Sequence, residues 1–445
     1  MKQYFFLILI CLLFLVTRLT KITEIPSSLY WDEASIGYNA HAILTTGRDE
    51  WGEHLPLHFR AFGEFKLPVY IYSVALAETV VGYGELAVRL PAVLYSLASL
   101  VLIFLITRRL TESFLGSLLA SLVFTLSPWG LLITRVGYEV TAGTAFFLLA
   151  WYLYLKSREK PILFLFSGLA HILAMYSYNS FRIVSPLFLF FSVLFLLKKR
   201  RLPVILVTLL VVFASLLPIY RLYRYDAGGV RLVAVSLQGS LPSKVEQFTK
   251  NYFSHFSPKF LFFYGDTNPR SNFPGYGLIS VFSVPVILFG LVDAIKKRRS
   301  VLLVLILAPV AASLTRESPH ALRSFLMFPA LSVLFGLGAK NRILLVIAVI
   351  FLALQFENCT YNFYRQYNSQ YSQDWQMPYK QIFSQPVSKN KTLEVSDEYA
   401  QPYIFALYYQ KYDPVRFRET VVYSPVSDWG FSTVKSFGDY IFVKK

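Results

Sequence analysis

The 445-residue chain is 55% hydrophobic and 17% aromatic, carries 43 Lys and Arg against 26 Asp and Glu, and has a mean hydropathy of +0.49. That apolar content excludes a soluble domain of this size, and a formal charge of +17 split among short clusters between apolar runs argues against a nucleic-acid surface. Two cysteines, Cys11 in the first apolar run and Cys359 beyond the last, are poor candidates for a disulfide framework.

In chain order, the first apolar run (4 to 20) resembles a signal-peptide core but lacks a small-residue cleavage site, so it reads as a retained helix. Directly after it, "SLYWDEASIGYNAHAIL" (28 to 44) places two adjacent carboxylates, Asp32 and Glu33, at the membrane boundary. Apolar windows of roughly 16 to 20 residues recur downstream, long enough to cross a hydrocarbon core of about 30 Å only as helices. The basic clusters between them are Lys2, Arg108 with Arg109, Lys156 with Arg158 and Lys160, Lys198 to Arg201, Lys296 to Arg299, and Lys340 with Arg342. Placing these in the cytoplasm predicts an all-α polytopic membrane protein with about 11 transmembrane helices. The spans are 4 to 20, 90 to 107, 114 to 131, 138 to 155, 161 to 177, 183 to 197, 202 to 220, 275 to 294, 300 to 314, 321 to 339 and 342 to 357. One run, 67 to 83, would invert this parity; with Glu78 inside it, it reads as an interfacial or re-entrant helix. The outer face then holds a first loop (21 to 89), turns near 132 to 137 and 178 to 182, a long loop (221 to 274), a turn at 315 to 320 and a tail (358 to 445), with the N-terminus cytoplasmic. Residues 1 to 357 form the transmembrane domain, and 358 to 445 an extracytoplasmic one. In the tail, "YIFALYY" (403 to 409) and "DYIFVKK" (439 to 445) predict a small α/β domain. There is no internal repeat or low-complexity tract.

This topology gathers the candidate chemistry on the outer side: Asp32, Glu33, Lys66 with Glu64, Arg89, Arg135, Glu139, Tyr178, Arg182, His255, Lys259, Asp266, Arg270, His320 and Arg323. Carboxylates among cations at a bilayer surface suit a lipid phosphate that is both bound and cleaved. Cations stabilise the departing phosphate as charge builds on it, and a carboxylate takes a proton from an attacking hydroxyl. Each piece also has a plain structural reading. Adjacent Asp and Glu before a helix can be a cap with a favourable dipole interaction. Arg89 can be an interfacial anchor, and Glu139 can pair with Arg135. His41, His54 and His58 lack metal-ligand spacing, His171 in an apolar helix reads as a core histidine, and the sequons at Asn358 and Asn390 are common by chance. The functional reading rests on the convergence of these motifs on one face.

"YWDEASIGYNAHAIL", "FGEFKLPVYIY", "GELAVRLPAVLYSL", "SPWGLLITRVGYEV" and "SPHALRSFLMFPAL" together resemble the GT-C superfamily of polyprenyl-phosphate-sugar-dependent glycosyltransferases, closest to the protein O-mannosyltransferase and lipid A aminoarabinose transferase group. The resemblance covers about residues 1 to 355 and is strongest before 190. It implies the general-base role for Asp32, with Glu33 as second letter of the acidic motif, and a contact to the donor phosphate for Lys66. The family's Lys-Pro-Pro is Lys-Leu-Pro here, and Glu64 stands two residues before the lysine instead of beside it, which leaves any metal or pairing role of that carboxylate open. Arg89 matches the family's Arg-Leu-Pro element, Glu139 matches an acidic position in the second outer loop, and the family fold lays the first-loop helices along the membrane surface.

The resulting expectation is a membrane glycosyltransferase of the cell envelope, in the plasma membrane. It moves one sugar, with inversion, from a polyprenyl-phosphate carrier to an acceptor hydroxyl of a protein, glycolipid or polysaccharide on the extracytoplasmic side. The catalytic candidates are Asp32 and Glu33; those for the donor phosphate are Lys66, Arg89, Arg135, Arg182, His320 and Arg323; Glu64, Glu139, Tyr178, His255 and Asp266 complete the set. The motifs require no cofactor and leave a divalent metal open; nucleic acid is not a partner. A glycolipid flippase and a non-catalytic lipid-sugar-binding protein of the same fold are the rival readings. Polar residues at the outer ends of the spans, rather than at the midplane, argue against transport.

Overall fold

A computed structural model of the chain describes residues 4–62, 64–197, 201–225, 229–297, 299–385, 392–425 and 433–444. Lys2, Lys198 to Arg200 and Arg298 of the basic clusters, Gly63 of the first-loop motif, and Asn390 with Lys391 of the second sequon lie outside them. The described chain is mostly helical. Helices Glu85–Thr111, Leu202–Tyr225 and Arg342–Tyr371 are each long and apolar enough to cross a membrane. Others are shorter, among them Phe5–Leu19, Phe114–Leu126, Leu163–Met175 and Met327–Leu337.

The chain divides into two compact units, each discontinuous in sequence. One comprises residues 1–20, 92–216 and 236–365. Its helices approach closely where glycine removes the side chain. A methyl group at Gly116 would lie 2.6 Å from the Gly336 carbonyl oxygen, and one at Gly290 would lie 1.9 Å from that of Leu334. Helices Phe114–Leu126, Val284–Lys297 and Met327–Leu337 therefore pack backbone to backbone, as apolar helices do when lipid offers no hydrophobic gradient. Several predicted spans are interrupted by proline. The 114 to 131 run breaks at Ser127, extended before Pro128, and continues as Pro128–Ile133. The 300 to 314 run is Arg299–Leu307 followed by Val310–Ser313 after Pro309. Conversely, the last apolar run does not stop at 357: it contains neither Gly nor Pro, and its helix continues through polar sequence to Tyr371.

The other unit comprises residues 21–91, 217–235 and 366–445. Its sheet has four strands in the order Leu393–Ser396, Tyr440–Val443, Val434–Phe437, Val422–Tyr423, the first pair parallel and the rest antiparallel. With helices Met377–Phe383, Pro402–Tyr409 and Pro414–Thr420, it supplies the small α/β element expected in the tail. "YIFALYY" is helical and buried, whereas "YIFV" is a strand. Helix Pro402–Tyr409 packs against helix Trp31–Thr46 at Gly37, where a methyl group would stand 2.5 Å from the Tyr408 ring and 2.8 Å from Val88.

Candidate functional site

Tyr30 is extended, and helix Trp31–Thr46 begins immediately after it with Asp32 and Glu33 in the first turn. Consecutive helical residues point about 100° apart, so the acidic pair is split between two environments. Asp32 faces a short hairpin, Phe59–Ala61 paired with Glu64–Lys66. Phe62, directly after the first strand, has φ 42°, in the left-handed region. Side chains two apart on a strand share a face, so Glu64 and Lys66 point the same way. Lys66 is almost fully buried, and its ammonium lies 2.8 Å from Asp32 Oδ1 and donates to Glu64 as well. The Asp32 side chain keeps 28% of its surface exposed. Lys66 ends a strand, and the run expected as an interfacial or re-entrant helix over 67 to 83 is helical from Pro68, where proline has no N–H to lose. Displacing Glu64 by two residues from the lysine is what lets both reach Asp32's side of the hairpin. Among the described residues no group of three or more His, Cys, Asp or Glu is arranged to hold a metal ion. Asp32 and Glu64 share an ammonium group.

Glu33 turns inward and is fully buried with Arg89. Its carboxylate accepts the Tyr30 backbone N–H at 3.1 Å and Arg89 Nε at 3.1 Å. The other Arg89 nitrogens donate to the Ile22, Pro26 and Ser28 carbonyls at 2.6, 3.1 and 2.7 Å, and again to Glu33. Every donor of the guanidinium fork is thus engaged, fixing the chain that leads to the acidic helix.

A second buried carboxylate escaped the sequence reading. Glu50 accepts Tyr403 Oη at 2.8 Å and Asn39 Nδ2 at 3.0 Å, and its backbone N–H donates to Asn39 Oδ1. Burial raises its pKa to about 7, against the hydrogen bonds from Tyr403 and Asn39. A carboxyl whose folded pKa is raised binds its proton more tightly when folded. Its stabilisation is therefore complete below the unfolded value and is lost as pH rises through about 7. The expected effect is up to about 3 kcal/mol. Thermal unfolding at pH 5, 6.5 and 8 checks this: the wild-type midpoint falls with pH, and Glu50→Gln, which resembles the protonated acid, shows a flatter profile. Equal slopes in the two proteins would remove Glu50 as the source.

In the unit holding residues 92–216 and 236–365, Arg135 is buried, donating to Tyr364 Oη at 3.0 Å and the Thr20 carbonyl at 2.7 Å. Asp266 accepts the Ala321 N–H at 2.7 Å, and its carboxylate lies 3.5 Å from His320 Nδ1. His255 Nδ1 meets the Asn251 carbonyl at 2.8 Å, and His255 Nε2 accepts the His320 N–H at 3.2 Å. Burial pushes Asp266 up and lowers His255 to about 4; burial, then neighbouring Arg323, lowers His320 to about 3. Arg323 donates to Thr315 Oγ1 at 2.9 Å and Glu317 at 3.3 Å. Glu139 precedes helix Val140–Ser157, and Tyr178 and Arg182 are half-buried around the start of helix Phe181–Leu197. Lys259 opens a π-helical turn and is exposed. His171 packs against Phe147 and Phe188. Of the loop histidines, His41 pairs with Glu78 at 2.6 Å, His54 is exposed, and His58 is half-buried.

The sequence matches the dolichyl-phosphate-mannose-protein mannosyltransferase family model over residues 66–220, a segment that starts at Lys66 and contains Arg89, Arg135, Glu139, Tyr178 and Arg182. A search of curated proteins finds no match. Among solved structures, the fold is similar to that of ArnT from Cupriavidus metallidurans bound to undecaprenyl phosphate. The TM-score is 0.60 at 12% identity, over 91% of this chain and 84% of that one. It is also similar to the Archaeoglobus fulgidus oligosaccharyltransferase tethered to an acceptor peptide (TM-score 0.52, 12% identity, 92% of this chain and 63% of that one). The archaeal oligosaccharyltransferase AglB from Archaeoglobus fulgidus, in complex with an inhibitory peptide and a dolichol-phosphate, gives a TM-score of 0.51 at 12% identity over 92% of this chain and 63% of that one. This is a membrane protein with the GT-C fold, and the resemblance to the polyprenyl-phosphate-dependent GT-C glycosyltransferases that its motifs carry holds in sequence over residues 66–220 and in fold over nine-tenths of the chain.

Proposed function

We propose that the protein transfers a single sugar from a polyprenyl-phosphate carrier to an acceptor hydroxyl, with inversion at the anomeric carbon. The observation that carries this reading is the Asp32–Lys66 pair: a partly exposed carboxylate 2.8 Å from a buried ammonium, beside a fully buried Glu33. Asp32 takes the proton of the acceptor hydroxyl as its oxygen attacks the anomeric carbon. The bond from that carbon to the phosphate oxygen breaks, its electron pair leaves with the polyprenyl phosphate, and Lys66 stabilises the charge developing there. A donor phosphate arriving at Lys66 shares the ammonium with Asp32 and leaves the carboxylate more basic. Glu64 orients the lysine from its other side. In this reading Glu33 and Arg89 hold the scaffold, since the buried pair has its donors committed. Arg135, Arg182, His320 and Arg323, with Glu139, Tyr178, His255 and Asp266, stay as candidates from the sequence alone. No step runs through a metal. The test is turnover of undecaprenyl-phosphate sugars by the purified protein in lipid. Release of undecaprenyl phosphate only when an acceptor is supplied supports transfer, whereas sugar-lipid movement across vesicles without cleavage would replace it with the flippase reading.

The proposed topology places residues 1–357 in and about the membrane with about 11 spans, and the acidic helix and the tail outside the cytoplasm. Charge parity is what supports an interfacial placement for helix Pro68–Val81, since a crossing there would put the basic clusters from Arg108 onward on the outer side. Reporters after Arg109, Arg201 and Arg299 are expected in the cytoplasm, and those near residue 50 and after Lys445 outside. An outside signal at Arg109 would mean that 67 to 83 crosses.

A further inference from the structure

The first turn of a helix leaves backbone N–H groups without helical partners, and at the acidic helix the chain's distant end supplies an acceptor for one of them and for the N–H of Leu29 just before the helix. The Tyr30 N–H goes to Glu33, as described. The Trp31 N–H, next to Asp32, donates to Gln376 Oε1 at 3.0 Å, a contact spanning 345 residues. The Leu29 N–H donates to Tyr409 Oη at 3.3 Å across 380 residues. Gln376 is 3% exposed and sits at φ 55°, and its amide nitrogen donates to the Tyr399 and Ala400 carbonyls. Its orientation is thereby set, since a reversed amide would turn its NH2 toward the Trp31 N–H and its oxygen toward two carbonyls. One turn on, Lys380 donates to the Ser27 carbonyl at 3.0 Å and pairs with Glu85 at 2.8 Å. Tyr409 donates to that same Glu85 oxygen at 2.8 Å and lies 3.1 Å from Ser28 Oγ. Trp375 packs edge-on against Tyr30. Four of the five residues from Ser27 to Trp31 are thus hydrogen-bonded by side chains from 376–409.

We propose that Gln376 is a positioning residue for Asp32 and that residues 376–409, through Gln376, Lys380 and Tyr409, are the element that fixes where the acidic helix begins. The inference rests on the reading of Asp32 as the base. It gives the tail a part in the chemistry without contact to substrate, because a base misplaced by about 1 Å can lose on the order of 100-fold in rate.

The experiment uses the full-length protein in lipid nanodiscs, with undecaprenyl-phosphate mannose and undecaprenyl-phosphate glucose as probes and hydrogen exchange of the peptide around 28–36 as a readout independent of activity. Gln376→Met keeps the volume and removes the acceptor; Gln376→Glu keeps an acceptor for the Trp31 N–H. The methionine variant is expected to exchange about tenfold faster at Trp31 to Ala34, and to lose about 10- to 100-fold in kcat with donor KM within about twofold. The glutamate variant is expected to recover part of both. Wild-type exchange and kcat in the methionine variant would overturn the proposal, as would a loss confined to KM. If the wild type cleaves neither probe, exchange alone decides: acceleration supports the hold on the helix start while the transferase reading is lost, and unchanged exchange overturns the hold. Should Gln376→Met not fold, Tyr409→Phe is read by the same criteria at Leu29.

Discussion

Asp32→Asn is expected to leave the protein folded and able to bind a polyprenyl-phosphate donor while turnover falls by about 10²- to 10⁴-fold, the usual scale for loss of general-base assistance. The substitution keeps the size of the side chain and an oxygen for Lys66, and removes the basic carboxylate. It also separates two roles. Tyr30 holds the cap position and Asp32 is the second helical residue, so a purely structural Asp32 would act through its pair with Lys66 and the helix dipole, and its loss would register in the unfolding temperature and not in the turnover of folded protein. The measurement is single-turnover transfer at saturating donor, with unfolding temperature as the control for structure. Near-normal transfer by the variant, with chemistry rate-limiting, would sink the assignment and direct attention to Glu64, the other carboxylate on Lys66. Lys66→Ala makes a useful companion, since its loss is expected in donor affinity and phosphate departure together.

Arg89→Ala is expected to cost about 3–5 kcal/mol of stability, because it leaves Glu33 charged and unpaired in a site with no exposure. The Ile22, Pro26 and Ser28 carbonyls lose their donor in the same step. Limited proteolysis between 21 and 30 and a thermal scan would detect this. Arg89→Lys recovers little, since three donors on a flexible stem cannot reproduce the fork. The double change Glu33→Gln with Arg89→Met is milder than Arg89→Ala, because it removes the buried charge and keeps an acceptor at the third helical position. A wild-type unfolding profile for Arg89→Ala would free this arginine for the donor-phosphate role implied by the family motif.

The fate of these two residues shows what the sequence could convey. The placement of Asp32 and Glu33 after an apolar run was legible, as was the helical membrane class, because apolar length and basic clusters are local signals. The separation of the pair was not. It follows from the helix beginning at Trp31, and a shift of one residue in that start would rotate both carboxylates by about 100°. The hairpin carrying Lys66 was hidden because each strand has three residues, too short for alternation to register. The family motif marks Arg89 as a candidate phosphate cation, but its partners, three of them carbonyls, are invisible until the chain folds. Proline breaks such as Ser127–Pro128 were present in the sequence but were outweighed by the hydropathy of the run. Gln376, Lys380, Tyr403 and Tyr409 carried no motif, and their meaning lies in partners more than 300 residues away.

That separation bears on the order of events during synthesis. Contacts such as Trp31 with Gln376 and Glu50 with Tyr403 close loops of 345 and 353 residues, and they come late because the entropy of closure precedes any reward from the contact. A nascent chain that has reached residue 350 already contains its long apolar helices through Leu202–Tyr225 and all of the sequence from Asp32 to Arg89. It still lacks every side chain from 376 to 409 that holds residues 27 to 31. The acidic helix is thus among the first segments made, and a polypeptide cut short before residue 376 would keep its Lys66 and Arg89 contacts but reach the bilayer without the acceptor for the Trp31 N–H beside Asp32.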